Sequence, residues 1–315
     1  MVEPVVEIYP QVVTFGDNCL NIIFRIAAPL NRGANFEMSE VIRRPGGNAL
    51  VTALALSAWG IRTAYSGVIG NDDEGQILRS WMQCAGVDYS GVIWRNLSRK
   101  SYVILDPADR TILDMREKSM KAELQVEDWH ENPILEQMAR HAEVILVDKY
   151  CSAIHEKIIT LVKETRSIIN HPLLLYRTGS RSSAGLAVES RIFPEADIVL
   201  TKRRFLQEIT GENSPLAACQ ELSNHFRICV VVTTLGSEGA AFYDARSDSG
   251  AVVSAGSIRT ATTLGAGDFF RAGFILGLLR KQSLIEACQM GNLAAARHCE
   301  QGESDDPSVL FSKEV

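Results

Sequence analysis

Hydrophobic residues fall into short runs separated by stretches with helical spacing. Gln11 to Gly16, Arg62 to Gly67, Val144 to Val147, Leu173 to Tyr176, Ile198 to Leu200 and Ile228 to Thr233 read as strands, with helix-like segments between them. That alternation predicts a mainly parallel sheet with helices on both faces, because parallel neighbours need long crossovers. The runs at Val144 and Ile228 are continuously Val/Ile-rich, as strands buried on both faces must be. Two stretches break the alternation. Asn21 to Arg44 places Ile23, Phe36, Met38 and Val41 around Asn-Arg-Gly, and Ser101 to Met115 reads as a hairpin with Pro107 to Arg110 at its turn. Together they predict a small antiparallel sheet beside the main body, either a lid over a cleft or a plain edge hairpin. The polar tail after Gly302 is expected to fray.

Composition narrows the function classes. The 315 residues are 46% hydrophobic and 22% charged with 23 glycines, ordinary values for one large globular unit rather than a disordered or collagen-like chain. A net charge of −6 with no basic stripe removes the electrostatic footprint of a nucleic-acid binder. No run is long enough to span a bilayer, and Met1 to Pro10 lacks the basic and apolar regions of a signal peptide, so a soluble, unprocessed chain without a membrane partner is expected. Seven scattered cysteines without a Cys-x-x-Cys fit a reducing, cytoplasmic setting, and the six histidines form no zinc-type spacing, so no metal ligands are assigned.

The most informative segment is Thr262-Thr263-Leu264-Gly265-Ala266-Gly267-Asp268, followed by a helix from Phe269 to Arg280 that is apolar nearly all round and therefore interior. The unpaired N–H groups of its buried first turn and its positive dipole end suit an anion, which makes Gly265 to Asp268 a candidate cradle. A carboxylate beside an anion site is repelled unless it has a chemical task, such as accepting a hydroxyl proton. Taken alone, Asp268 reads more economically as a helix cap. Arg44-Pro45-Gly46-Gly47-Asn48 opens another apolar helix with an amide suited to sugar hydroxyls, though Asn48 as an ordinary N-cap is the simpler account. Gly67 to Gly75 reads as architecture, with Asp72 or Asp73 as the cap. Val231 to Gly239 is a buried strand running into a glycine-bearing loop, which is either a ligand-binding strand end or a plain turn. Neither the P-loop nor the dinucleotide fingerprint is present.

Taken in order, GGNA at Gly46, GVIGNDDEG at Gly67, VVTTLGSEG at Val231 and TTLGAGD at Thr262 resemble the motif set of the PfkB (ribokinase-like) carbohydrate kinases, from about Val13 to Gly302. The resemblance implies a single α/β domain over residues 1–315: a ribokinase-like three-layer α/β/α sandwich with a mainly parallel sheet. Its β lid would be formed by about 21–45 and 98–118. It implies ATP and Mg²⁺ as cofactors and a small sugar as substrate. Asp268 would be the base, and the amides of Gly265, Ala266 and Gly267 the anion hole. Thr234, Gly236, Gly239 and Asn292 would lie on the nucleotide side, and Asp17, Asn21, Gly47 and Asn48 on the sugar side; Lys202, where the chain departs from the family wording, either faces the nucleotide phosphates as well or, with Arg203 and Arg204, opens a solvated helix, the simpler account. A homodimer through the lid is a further implication.

The wording from Thr263 to Asp268 and the helix ending Arg297-His298-Cys299 are most like ketohexokinase-type members, and Gly16-Asp17-Asn18-Cys19 resembles fructoselysine kinases; both point to ketose or furanose sugars. Three departures stand against the family pattern. Thr262 replaces an Asp associated with monovalent-cation activation. Asn21 and Val51 replace a sugar-gripping Asp and a second Asn. Lys202-Arg203-Arg204-Phe205 replaces the Asn-x-x-Glu of the magnesium-water network. Two other functions stay open: a nucleoside kinase clamping a base with Phe36 and Tyr102, and a catalytically idle sugar-binding regulator on the same fold.

Overall fold

The computed structural model describes residues 9–95, 97–107, 110–115, 123–169, 172–179 and 183–311. From the first strand, β1 (Val12–Phe15), the chain passes to β2 (Cys19–Ile26), β3 (Met38–Gly46), helix α1 (Asn48–Ala58), β4 (Thr63–Ser66), β5 (Val68–Gly70), α2 (Asp73–Ala85) and β6 (Ile93–Arg95). A hairpin, β7 (Lys100–Leu105) and β8 (Arg110–Met115), precedes α3 (Val126–Glu131), α4 (Pro133–His141), β9 (Val144–Asp148), α5 (His155–Ile169), β10 (Leu173–Arg177) and α6 (Ser183–Glu189). The last third runs β11 (Ile198–Lys202), α7 (Arg203–Thr210), α8 (Pro215–Phe226), β12 (Val230–Thr234), β13 (Ala240–Asp244), β14 (Ser249–Val253), α9 (Ala266–Leu279), α10 (Leu284–Gln301) and α11 (Pro307–Leu310).

Eight strands form the main sheet in the order β14-β13-β12-β11-β10-β9-β1-β4. Neighbours from β12 to β4 are parallel, and the hairpin β13–β14 closes one edge antiparallel. Successive residues of each buried strand point to opposite faces, so one strand feeds two cores. Val12, Leu146 and Val232 pack with α1, α2, α9 and α10 on one side. Val13, Phe15, Ile145 and Val231 pack with α4, α5 and α8 on the other. Two helical layers therefore enclose the sheet, the ribokinase-like α/β arrangement. The run from Phe269 is interior as its composition requires: Phe269 to Gly277 is buried without a break.

The small sheet has the order β3-β2-β7-β8. Its two outer pairings are antiparallel, but the central β2–β7 pair is parallel, because the two arms reach the sheet from the main body in the same direction. Its inner face buries Ile23, Ile42 and Val103 against Leu264, so it packs directly on the loop that precedes α9. Of the expected hairpin turn, residues 108–109 lie outside the described residues, as does the end of the second lid segment at 116–118.

Two expectations need correction. The described part of the tail, 303–311, is docked rather than frayed: the Glu303 side chain is fully buried in an ion pair with Arg44, and Phe311 is buried against Trp81 and Phe269. Asn48 is not the N-cap of α1. Gly47 holds that position, Asn48 is the first helical residue, and its side chain turns towards Asp17. Asp72 does cap α2, accepting from Gly75 N–H at 2.8 Å. No helix among the described residues is long and apolar enough to cross a membrane.

Candidate active site

The carboxyl ends of the parallel strands and the first turn of α9 surround a cavity of about 320 Å³. Asp17, Asn21, Gly47, Asn48, Lys202, Gly265 and Asp268, distant in sequence, all line it. The structure therefore brings the catalytic and sugar-side candidates into one space. A narrower recess nearby is lined by Arg177, Lys202, Thr234, Gly267 and Arg271 among others.

At the sugar end, β1 runs out at Phe15 and the next residues cross the turn that opens α1. Asp17 Oδ1 accepts from the backbone N–H of Asn48 at 2.6 Å and from its side-chain amide at 3.2 Å. Arg99 lies 3.4 Å from the other carboxylate oxygen. This crossing needs glycine at position 47, where φ is 92° and a Cβ would sit 2.4 Å from Asn18 Cα. Asp148, at the end of β9, accepts from the N–H groups of Asp17 and Tyr150 at 3.0 and 2.8 Å. Burial, then the Asp17 charge, pushes the Asp148 carboxyl well above the usual carboxylate range. Burial also opposes ionisation of Asp17, but contact with Asp148 and the charges of Arg99 and Arg177 outweigh it and hold that carboxyl below the ordinary value. Asp17 is thus the anion of the pair. Asn21 is buried on β2 and accepts from the Cys19 thiol, while Val51 is core packing in α1.

At the other end, the loop 262–265 is braced from two directions. The Leu264 carbonyl accepts from Arg44 Nη2 at 3.2 Å and faces His298 Nε2 at 2.7 Å. Arg44 is paired with Glu303, which also accepts from the Thr262 hydroxyl at 2.5 Å. Gly265 caps α9 in the left-handed region at φ 88°. Among the described residues, the backbone N–H groups of Gly265 and Gly267 have no hydrogen-bond partner, whereas Ala266 N–H leans on the Thr263 carbonyl at 3.4 Å. The cradle therefore offers two fully free donors and one weakly held. Asp268 is the third helical residue, with its carboxylate held by Arg271 rather than capping the helix. Arg271 also donates to Asn48 Oδ1 at 3.2 Å, tying the α9 carboxylate to the sugar-end amide.

The nucleotide-side candidates are not all gathered. Thr234 pairs with Lys202 in register and shares the recess with it. Gly236 and Gly239 flank the short turn after β12, outside both spaces. Asn292 is buried in α10 and donates to the carbonyls of Val253 and Ser254, so its amide holds the loop after β14. Reading the sequence passed over Asp148, Arg177 and Arg271. The signal for the first two is a charge ending an apolar strand run, and for Arg271 a lone cation inside an otherwise apolar helix.

A protein-held divalent cation does not fit these residues. The recess beside Gly267 presents Arg177, Lys202 and Arg271 and no carboxylate, and no cluster of three His, Cys, Asp or Glu suited to a metal occurs among the described residues.

A cleft at strand carboxyl ends that joins free helix-start amides to the Asp268 carboxylate and the Asp17–Asn48 corner is of the kind that α/β phosphotransferases use. The chain belongs to the pfkB family of carbohydrate kinases, whose model matches residues 10–309. It is a sugar kinase, a phosphotransferase with an alcohol acceptor, and the family uses ATP. It is 27% identical to an uncharacterized sugar kinase of Archaeoglobus fulgidus, over 79% of this chain and 95% of the relative. It is 24% identical to fructokinase-1 of Zea mays, over 90% of each. In fold it matches the ribokinase of Arabidopsis thaliana complexed with ribose and ATP, with a TM-score of 0.77 at 17% identity, covering 97% of this chain and 99% of that one.

Proposed function

We propose that the protein transfers the γ-phosphoryl group of ATP to a hydroxyl of a small ketose- or furanose-type sugar, with Asp268 as the base. The observation that carries this is the shared lining of one cavity by Asp268 and by the Asp17–Asn48 corner, beside the free amides of Gly265 and Gly267. Asp17 and the Asn48 amide orient the acceptor, and Asn21 closes that side. The acceptor hydroxyl oxygen attacks phosphorus as the bond to the ADP oxygen breaks, and its proton passes to Asp268. The helix-start amides meet the charge on the phosphoryl oxygens. Arg271 fixes the Asp268 carboxylate towards Asn48, so the base and the acceptor end keep one relative placement.

The sugar reading is favoured over a nucleoside because Phe36 and Tyr102 contribute nothing to the described cavity lining; Tyr102 instead stacks on Phe24 with ring centroids 6.3 Å apart. A panel of fructose, ribose and adenosine in an ADP-release assay tests this. Turnover on a sugar supports it. Turnover on adenosine alone gives the nucleoside reading. Sugar-induced thermal stabilisation with no ADP release from any acceptor gives an idle binder.

A further inference from the structure

Along the carboxyl edge of the main sheet, neighbouring strands end on Thr234 (β12), Lys202 (β11), Arg177 (β10), Asp148 (β9) and, through the turn after β1, Asp17. Lys202 stands opposite Thr234 and Arg177 opposite Asp148, while between β10 and β11 the row steps by two residues, Arg177 facing Leu200 rather than Lys202. With about 4.8 Å between strands, Arg177 lies two strand spacings, about 10 Å, from either end of the row. Arg177 and Lys202 nevertheless converge, since both line the recess beside Gly267 and the cavity that holds Asp268 and Asp17.

Among the described residues, the side chains of Arg177 and Lys202 make no hydrogen bond or ion pair, although both line the cavity that holds Asp268. Lys202 Cε lies 3.9 Å from the Cβ position of Gly267, so its ammonium belongs beside the free Gly267 amide. Arg271 is buried in the same recess, and its Nε has no partner. Three cations thus crowd together beside Asp268, with Asp17 acting on Arg177 and Arg271 from the other end of the cavity, and their mutual repulsion is relieved when a further anion enters.

We propose that Arg177 and Lys202 form a two-cation seat for the γ-phosphoryl group, supplying positive charge from side chains in a recess that presents no carboxylate. The inference rests on the kinase reading. ADP lacks the group that occupies the seat, so the pair discriminates ATP from ADP. The crowding also shows in Lys202: burial first and Arg177 next push its ammonium down to about 8, with Arg271 and Arg110 adding to the push and Asp268 opposing it. A phosphoryl group bound there draws a proton onto Lys202.

The test is calorimetric titration of ATP and of ADP into the wild-type protein, Arg177→Gln, Arg177→Lys and Lys202→Gln, with Mg²⁺ and in EDTA. The expected result is a wild-type preference for ATP that persists in EDTA. Each Gln variant weakens ATP by about ten- to hundredfold with ADP changing less than about threefold, and Arg177→Lys retains most of the affinity. At pH 8.5, wild-type ATP binding takes up protons, read as buffer-dependent heat, and Lys202→Gln abolishes the uptake. Equal weakening of ATP and ADP would place the cations on the inner phosphates and overturn the seat. So would unchanged nucleotide affinity with a raised KM for the acceptor, which would assign them to an anionic group on the sugar. Loss of the wild-type ATP preference in EDTA would hand discrimination to the metal and also overturn it. Wild-type protein that binds neither nucleotide would sink the kinase reading itself, whereas variants indistinguishable from a nucleotide-binding wild type sink only the seat.

Discussion

The two ends of the cleft are built on opposite plans. At the sugar end, Asp17, Asn48, Arg99 and Asp148 answer one another through hydrogen bonds and charge, and the backbone crossing at Gly47 leaves no room for adjustment. At the other end, the Arg177 and Lys202 side chains face the cavity with no hydrogen bond or ion pair among the described residues. Polar groups already satisfied by each other hold a fixed shape and select a ligand by fit. Cations left unmatched gain most when a charged ligand arrives. On the proposed function, the contrast means that the acceptor end is preorganised and the donor's charge completes its own site.

Breaking the rigid end should have the largest effect. Gly47→Ala puts a side chain into a left-handed position and into Asn18 backbone, so it should cost about 3 kcal/mol or more in denaturant unfolding and abolish sugar turnover. A variant with wild-type stability would show that the crossing is not tight. Arg271→Met removes the tether between Asp268 and Asn48; kcat should fall about a hundredfold, and Arg271→Lys should recover part of it. Asn48→Ala sharpens the contrast between the ends: the KM for the sugar should rise about tenfold while ATP affinity, measured separately by calorimetry, stays put.

The smallest effect concerns acid stability. Burial, reinforced by Arg44, pushes the His298 imidazole down from 6.5 to about 4. Between those values the unfolded chain binds the proton that the folded chain refuses, so this contribution to stability is complete above about pH 6.5 and is lost as the pH falls towards 4. At pH 5 the loss is about 2 kcal/mol, and His298→Gln, which keeps a donor for the Leu264 carbonyl, should flatten the drop in Tm between pH 7 and 5 by a few degrees. An unchanged pH profile in the variant would remove His298 from the account.

The fold was largely legible because its central strands are continuous apolar runs and its interior helix is apolar on all sides. The β13–β14 hairpin was not, since Ala240 and Ala241 give little periodic signal and the pairing is set by the neighbouring β12. Asp268, Gly265 and Asp17 were reachable through local motifs. Arg177, Asp148 and Arg271 acquire meaning only when strand order lines up charges from distant parts of the chain. The buried Arg44–Glu303 pair behind Thr262 was equally invisible, because a polar tail gives no hint of what it docks against.

The central claim is that a single carboxylate at the start of α9 does the proton chemistry for both ends of the cleft. Steady-state ADP release by Asp268→Asn, alongside its ATP affinity and Tm, tests it most directly. The account predicts kcat lower by about a thousandfold or more with Tm and ATP affinity close to wild type. Turnover near the wild-type rate in a folded variant would contradict it.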